Sequence, residues 1–132
     1  MCIRDRRPLF TCQEIIEPFQ MTLVDVLARQ SCGALVYLFM PDHLHLLMQG
    51  LTSQANLLAA ASEFKQRTGY WLSRHEPDFR WQKDFYDHVL RREDEIEKHV
   101  RYILNNPFRA GLVDDWRTFP FRGSTLYDLN TW

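Results

Sequence analysis

The sequence has little of what marks a secreted or membrane-bound protein. Only three of its 132 residues are cysteines, and Cys2, Cys12 and Cys32 lack the close spacing of a zinc or redox motif. Because an odd and widely spaced set does not form a disulfide framework, we expect a protein of the reducing cytoplasm. No run approaches the roughly 20 apolar residues of a membrane span, and residues 1–7 lack the apolar centre of a secretion signal. We therefore expect no membrane partner.

The chain also lacks an excess of charge of either sign. Its 16 lysines and arginines stand against 17 acidic residues, which gives a net charge of −1. Nucleic-acid-binding proteins usually carry a basic excess, so the total charge alone does not indicate one. The basic residues are unevenly placed, however, and many of them fall between Lys65 and Arg92. A local basic groove is therefore compatible with a neutral total.

Length and hydrophobic periodicity predict one domain with three helices. At 132 residues and 45% apolar composition, the chain can form one domain over residues 1–132 but is too short for two comfortable ones. Apolar residues recur at helical spacing over residues 13–29 and over about 53–74. Acidic residues favour the start of a third helix at Glu93. This helix should end at residues 105–107, because the residue before a proline resists the helical conformation.

Two apolar segments between the first and second helices predict a β-hairpin. Residues 34–40 are apolar and rich in aromatic and β-branched side chains, and the side chains of residues 43–49 should point alternately to the two faces of a strand. Pro41-Asp42 supplies a turn between the two segments. Residues 79–90 read as an irregular strand, and the tail that follows Ala110 reads as coil or a short strand.

Two histidines one residue apart open the second strand of this hairpin. Because side chains alternate along a strand, His43 and His45 should share one face, roughly 6.5–7 Å apart along the backbone. Two imidazoles at that spacing can converge on one divalent metal ion. They can equally be half-buried sheet histidines that bond to backbone groups, because a short His-x-His motif has a high false-positive rate.

A tyrosine and an asparagine lie one turn apart on the third predicted helix. Ile96, Val100 and Ile103 form its apolar stripe, and Tyr102 and Asn106 lie beside that stripe. This placement suits a reactive phenol next to a metal-binding carboxamide. It equally suits a boundary tyrosine whose ring packs and whose hydroxyl meets water.

Three stretches taken together resemble a known family. Residues 36–47, 81–91 and 102–113, in this order and at these separations, resemble the single-tyrosine HUH transposases and, more closely, the REP-associated tyrosine transposases. The resemblance covers most of the chain from about Arg7 onward. It implies an α+β protein with a ferredoxin-like antiparallel sheet packed with helices.

The resemblance also implies a reaction and the residues that perform it. Tyr102 occupies the place of the nucleophile, and His43, His45 and Asn106 occupy the places of ligands to a divalent metal, Mg²⁺ or Mn²⁺. The implied chemistry is metal-dependent cleavage of single-stranded or hairpin DNA to a 5′-phosphotyrosine and a free 3′-hydroxyl, followed by strand transfer. Such an enzyme is a tyrosine-nucleophile DNA transposase or endonuclease.

Several further residues have expected but less specific roles. Lys65, Arg67 and Arg109 are the candidate DNA-binding residues, as phosphate contacts. His88 stands in a Tyr-Asp-His segment typical of the family, where it either orients the strand through hydrogen bonds or takes part in catalysis. The chain can be a monomer or a homodimer, and the sequence does not choose between them.

The first six residues depart from the family pattern. Family members begin with a complete strand beside the histidine strand, whereas residues 1–6 show no strand-like alternation. We therefore expect a truncated or non-native N-terminus and a missing first strand. Its loss should expose an edge of the histidine strand.

Two other functions stay open at this point. A catalytically inactive module that binds single-strand or hairpin DNA would keep a basic and aromatic surface and form no covalent adduct. A metallohydrolase that activates water would tolerate Tyr102→Phe. The sequence favours the hydrolase least, because it shows no obvious extra acidic ligands near His43 and His45.

Overall fold

The computed structural model describes residues 1–84 and 93–132, and it has the α+β architecture that the sequence predicted. In chain order these residues form α1 (Gln13–Arg29), β1 (Cys32–Met40), β2 (His43–Gly50), α2 (Leu57–His75), α3 (Glu93–Leu104), α4 (Asn106–Arg109) and β3 (Arg122–Gly123). The strands form one antiparallel sheet in the order β2-β1-β3. None of the helices in this described part combines the length and apolar character needed to cross a bilayer.

The hairpin of β1 and β2 is the centre of the fold, and one extra residue interrupts its pairing. Ala34 pairs with Met48, and Val36 pairs with Leu47, so Leu35 has no partner of its own on β2. Such a β-bulge shifts the alternation of side chains by one position. As a result, Leu35 and Val36 both pack on the same side of the sheet.

One side of the sheet, which we call the helical face, is covered by α1 and α2. Its strand residues Ala34, Phe39 and Leu44 are buried in one core with side chains of both helices. Phe19 of α1 is 0% exposed. Its ring makes edge-on contacts with five neighbouring aromatic rings, those of Phe10, Phe39, Phe64, Trp71 and Trp81. Close-packed aromatic side chains of this kind contribute much of the stability of a small domain.

The opposite side, which we call the histidine face, is covered in part by α3. Its apolar core combines β1 residues with one stripe of α3 and with the C-terminal tail: Leu35, Val36, Leu38, Met40, Val100, Ile103, Leu104, Trp116, Phe119 and Leu129. His43 pairs with Met40, and His45 pairs with Leu38. Because directly paired residues of antiparallel strands share a face, both histidines lie on the side that α3 covers.

The predicted helices are present, and their ends have local causes. α1 spans the predicted residues 13–29. α2 begins at Leu57, four residues later than predicted, because the Asn56 side chain accepts a 2.9 Å hydrogen bond from the Ala59 N–H and caps the helix. α3 ends at Leu104, close to the predicted end. The chain then continues into α4, whose first turn contains Pro107.

The irregular strand predicted at residues 79–90 can be compared with the structure only over residues 79–84. Trp81 forms an isolated antiparallel bridge with Ile3, and no named strand occurs in residues 79–84. Residues 85–90 lie outside the described residues. The tail supplies the short strand β3, which pairs with β1 at Tyr37 and Leu38.

The first three residues are extended and pair on both sides. The Met1 amino group donates to the Leu44 carbonyl at 3.0 Å, and the Ile3 N–H donates to the Asp42 carbonyl at 2.9 Å. On the other side, the Gln82 N–H donates to the Cys2 carbonyl at 2.8 Å, and Ile3 is 0% exposed. The expectation of an exposed strand edge is therefore corrected for residues 42–44, which this segment covers.

Candidate active site

The two histidine rings converge on the histidine face. His43 and His45 point the same way from β2, with Nε2 atoms 3.0 Å apart and ring centroids 4.7 Å apart. The rings are nearly perpendicular, at 81°. The prediction that alternation brings these two side chains to one face is confirmed.

A carboxylate orients the first of the two rings. Nδ1 of His43 donates to the Asp42 carboxylate at 2.6 Å, and Nε of Arg6 donates to the other oxygen of Asp42 at 2.8 Å. Partial burial acts to raise the pKa of Asp42, but the hydrogen bonds and charges of His43 and Arg6 outweigh it, so this pKa is lowered. The ionised carboxylate holds the proton of His43 on Nδ1, which leaves Nε2 with a lone pair.

Burial keeps the second ring uncharged. Burial and the charges of His43, the N-terminus, Arg109 and His99 lower the pKa of His45 to about 4. His45 is therefore neutral at neutral pH. A neutral imidazole is the form that ligates a metal ion.

The candidate nucleophile lies on α3 and is held by an arginine from α4. Tyr102 is 59% exposed. The guanidinium carbon of Arg109 lies 3.8 Å from the centroid of the Tyr102 ring, in a cation–π contact. Nη2 of Arg109 donates to the Tyr102 carbonyl at 2.7 Å and to Oδ1 of Asn106 at 2.8 Å. The His99 ring is a neighbour of Tyr102, with centroids 6.3 Å apart.

The predicted site residues thus form two groups on one face of the sheet. His43 and His45 form one group, and Tyr102, Asn106 and Arg109 form the other. Within the described residues, no hydrogen bond or ring contact joins the two groups. They are nevertheless near enough for the charge of Arg109 to lower the pKa of His45.

The histidine pair fits a divalent ion by distance and by chemistry. Adjacent nitrogen ligands about 2.1 Å from an octahedral ion lie about 3.0 Å from each other, and the two Nε2 atoms are 3.0 Å apart. In residues 1–84 and 93–132, no cluster of three histidine, cysteine, aspartate or glutamate side chains could hold an ion. A third ligand from these residues would have to be of another kind, such as the carboxamide of Asn106. Two imidazoles and an amide suit Mn²⁺ or Zn²⁺ better than Mg²⁺ by ligand softness.

The other two basic candidates lie on α2, which covers the helical face. Nζ of Lys65 donates to the Lys83 carbonyl at 2.7 Å, and Lys65 lines a groove of about 660 Å³ between α2 and residues 81–84. Arg67 pairs with Asp25 of α1 at 2.6 Å. The structure does not bring either residue to the histidine face, and their role as phosphate contacts stays a prediction. His88 lies outside the described residues.

Sequence reasoning missed two residues of this site. The sequence predicts only a turn at Asp42, and it places Arg6 in a segment expected to be non-native. A carboxylate immediately before a candidate histidine ligand is a signal that could have identified Asp42, because ligating histidines commonly donate their second N–H to a carboxylate. For Arg6 the sequence holds no such signal, since its contact with Asp42 joins residues far apart in the chain.

The fold and this arrangement of residues agree with a family of transposases. A sequence model of the family described as "Transposase IS200 like" matches residues 1–106. The chain therefore belongs to the IS200-like transposase family.

Two individual relatives refine this placement. A Haemophilus influenzae protein named as a REP-associated tyrosine transposase is 27% identical over 93 residues, which are 62% of this chain and 53% of the relative. The chain thus matches about half the length of that relative. A solved structure described as a REP-associated tyrosine transposase bound to a REP hairpin superposes with a TM-score of 0.76 at 22% identity, over 95% of this chain and 72% of the other. The resemblance drawn from the three sequence stretches is confirmed, and the solved structure shows a shared fold.

Proposed function

We propose that this chain cleaves and transfers single-stranded DNA through a covalent bond between Tyr102 and a 5′ phosphate. In this proposal His43, His45 and Asn106 hold a divalent ion, Mn²⁺ or Mg²⁺. The observation that supports it most is the convergence of the two Nε2 atoms, 3.0 Å apart, on the face of the sheet that α3 covers. Tyr102 lies on that same helix.

The proposed reaction exchanges one phosphodiester for another. The Tyr102 hydroxyl loses its proton to solvent, and its oxygen attacks the phosphorus. The bond from phosphorus to the 3′ oxygen breaks, and the leaving oxygen takes a proton from water to become a 3′-hydroxyl. A bound divalent ion supplies polarisation of the phosphate and stabilises the charge that develops on its oxygens. Because the ester type is conserved, a 3′-hydroxyl can reverse the step without a nucleotide cofactor.

His43 and His45 contribute two oriented ring nitrogens to this proposal. In the metal-free chain their Nε2 atoms share a 3.0 Å hydrogen bond, which an ion between them would replace. Asp42 and Arg6 hold the tautomer of His43, and burial keeps His45 neutral. A site whose ligands are oriented before the ion arrives binds it with less loss of side-chain freedom.

We propose single-stranded or hairpin DNA as the partner. The solved relative is bound to a REP hairpin, and Arg109 places a guanidinium beside Tyr102, where a scissile phosphate would have to lie. Arginine binds phosphate through charge-assisted and often bidentate hydrogen bonds. Lys65 and Arg67 are the other proposed phosphate contacts.

A denaturing-gel assay tests the proposed function. The full chain is incubated with labelled single-stranded hairpin DNA and Mn²⁺, and we expect a protein–DNA adduct that resists denaturation. Tyr102→Phe should abolish the adduct while DNA binding stays close to that of the wild type. Tyr70→Phe is the matched control, because Tyr70 is 62% exposed and Arg74 lies over its ring. An adduct that survives in Tyr102→Phe would reject the assignment.

A catalytically inactive DNA-binding module is the second candidate function. It is favoured by the contacts of Arg109, which covers the Tyr102 ring and bonds the Asn106 oxygen. DNA binding that weakens with salt, without an adduct in any metal, would support this candidate over the first.

A further inference from the structure

The strongest unexplained feature of the histidine face is the carboxamide of Asn106. Its Oδ1 accepts a 2.8 Å hydrogen bond from Arg109. Its Nδ2 is buried, and it has no hydrogen-bond partner among the residues that the structure describes. A buried donor without an acceptor costs free energy, so this orientation of the amide persists only because something holds it.

Arg109 is the group that holds it. The same Nη2 atom donates to the Asn106 side chain and to the Tyr102 carbonyl, and the guanidinium carbon lies over the Tyr102 ring, 3.8 Å from its centroid. Three contacts with two residues one turn apart fix Arg109 across the end of α3. Arg109 therefore sets the position of both the proposed nucleophile and the proposed third ligand.

The orientation that Arg109 imposes is unsuited to metal binding. An amide ligates a divalent ion through its oxygen, and this oxygen already faces a guanidinium. An ion and a guanidinium cannot share one carboxamide oxygen closely, because both are cations. Asn106 can complete the ion's coordination only after the hydrogen bond from Arg109 to its Oδ1 breaks.

We propose that Arg109 is a positioning residue that withholds Asn106 from the metal until a DNA phosphate draws the guanidinium away. This inference rests on the proposed function and adds an order to it, with phosphate binding before completion of the metal site. A phosphate attracts a guanidinium more strongly than a neutral carbonyl and amide do, since charge-assisted hydrogen bonds are about twice as strong as neutral ones. Arg109 is exposed, so a backbone phosphate can reach it.

The affinity of the DNA-free chain for Mn²⁺ tests the inference directly. Arg109→Gln and Arg109→Lys both remove the paired contacts of Arg109 with Tyr102 and Asn106. We expect each to tighten Mn²⁺ binding by about tenfold, the lower end of the effect of changing a residue that bonds to a metal ligand. Binding is measured from the loss of the free Mn²⁺ signal in electron paramagnetic resonance, which needs no DNA cleavage. Arg101→Gln is the matched control, because Arg101 is an exposed arginine on α3 that pairs with Glu97.

The lysine variant separates positioning from simple charge. Arg109→Lys keeps the positive charge near His45 but loses the planar fork that reaches Tyr102 and Asn106 together. If only Arg109→Gln tightens Mn²⁺ binding, the effect is electrostatic repulsion, and the inference is overturned. In an Asn106→Ala background, Arg109→Lys should no longer alter the affinity, and an unchanged tenfold effect there would also overturn it.

DNA completes the test in a background that cannot be cleaved. In Tyr102→Phe, whose ring still offers a face to Arg109, a short oligothymidylate should tighten Mn²⁺ binding. The tightening should be smaller when Arg109→Lys is added, and equal tightening would contradict the proposed order. His43→Ala separates the two proposals: if it binds Mn²⁺ as well as the wild type, the metal site of the proposed function fails. If it loses binding while the Arg109 variants match the wild type, only the present inference fails.

Discussion

The helical face and the histidine face of the same sheet are held together in different ways. On the helical face, Phe19 is fully buried among five aromatic rings, of which Trp71 alone is partly exposed. On the histidine face, the two histidines are half-buried, Tyr102 is 59% exposed, and one arginine holds the end of α3. One face therefore supplies most of the packing, and the other carries groups that can meet a ligand.

The histidine face is itself divided into a fixed half and an adjustable half. His43 and His45 stand on a strand of the central hairpin, and Asp42 orients the first ring. Tyr102 and Asn106 stand near the end of α3, where their main restraint is a surface side chain. A site of this kind can keep its histidine pair in place while the side chains near the end of α3 move.

The largest effect is expected from the helical face. Phe19→Ala removes a fully buried ring, and such changes cost about 3–5 kcal/mol of stability. Met21→Ala on the same helix is the control, because Met21 is 66% exposed. Urea unfolding followed by circular dichroism measures both. A loss in Phe19→Ala no greater than that in Met21→Ala would show that this face does not dominate stability.

The next effect separates chemistry from packing on the histidine face. His45→Ala should weaken Mn²⁺ binding and adduct formation, because it removes a proposed ligand. The loss should exceed the roughly 10–100-fold that follows from removing a residue that only bonds to a ligand. The variant should stay folded, since its ring lies outside the buried apolar cores. Mn²⁺ binding equal to that of a His75→Ala control, which alters an exposed α2 histidine, would place the metal elsewhere.

A smaller loss is expected when the support of His43 is weakened. Asp42→Asn keeps an oxygen near Nδ1 but removes the negative charge that fixes the tautomer. We expect about tenfold weaker Mn²⁺ binding, as is typical of outer-shell changes. Asp25→Asn is the control, because Asp25 is also paired with an arginine but lies on α1. Equal Mn²⁺ affinities in the two variants would mean that Asp42 serves only the turn.

The burial of His45 predicts a pH dependence of stability without metal. Its pKa is lowered from 6.5 to about 4, so below the unfolded value the unfolded chain takes up a proton that the folded chain does not. The neutral form of His45 therefore leaves the free energy of unfolding undiminished above about pH 6.5, and this free energy falls as the pH drops towards 4. Between about pH 7 and about pH 5, the wild type should lose about 1–2 kcal/mol more than His45→Gln. Urea unfolding in chelator measures this difference, and parallel profiles would refute it.

The smallest effect is expected from Arg67 on α2. Its ion pair with Asp25 is exposed, so Arg67→Gln should cost about 0.2–1 kcal/mol of stability. DNA binding at several salt concentrations tests its predicted phosphate contact. Loss of one such contact lowers the slope of log K against log salt by about 1. An unchanged slope would leave Arg67 with a structural role only.

The sequence allowed the fold to be predicted where the signals are local. Helical spacing placed α1 at residues 13–29, and alternation placed His43 and His45 on one face, as observed. The predicted start of α2, at about residue 53, is four residues early because the Asn56 side chain caps the helix. The pairing of residues 1–3 was missed because the segment is too short to alternate, and its hydrogen bonds join it to distant parts of the chain.

The candidate site residues could be selected from the sequence, but their contacts could not. Residue types and a family resemblance selected His43, His45, Tyr102 and Asn106. The hydrogen bonds of Arg109 to Tyr102 and Asn106 depend on the turn of the chain between α3 and α4, for which the sequence predicted only an end of the helix. Side-chain partners across such a turn are set by tertiary geometry rather than by spacing.

The unpaired Leu35 makes this protein sensitive to the number of its residues as well as to their kind. An in-frame loss of that single codon would remove the offset between the two halves of β1. Either Cys32 and Ala34 would then leave the helical face, or the side chains of residues 36–47 would exchange faces. In the second case both histidines would lie beneath α1 and α2. A change of Leu35 to another apolar residue keeps the count. For this gene, a three-base deletion at one inner position is therefore expected to be more damaging than a substitution at the same place.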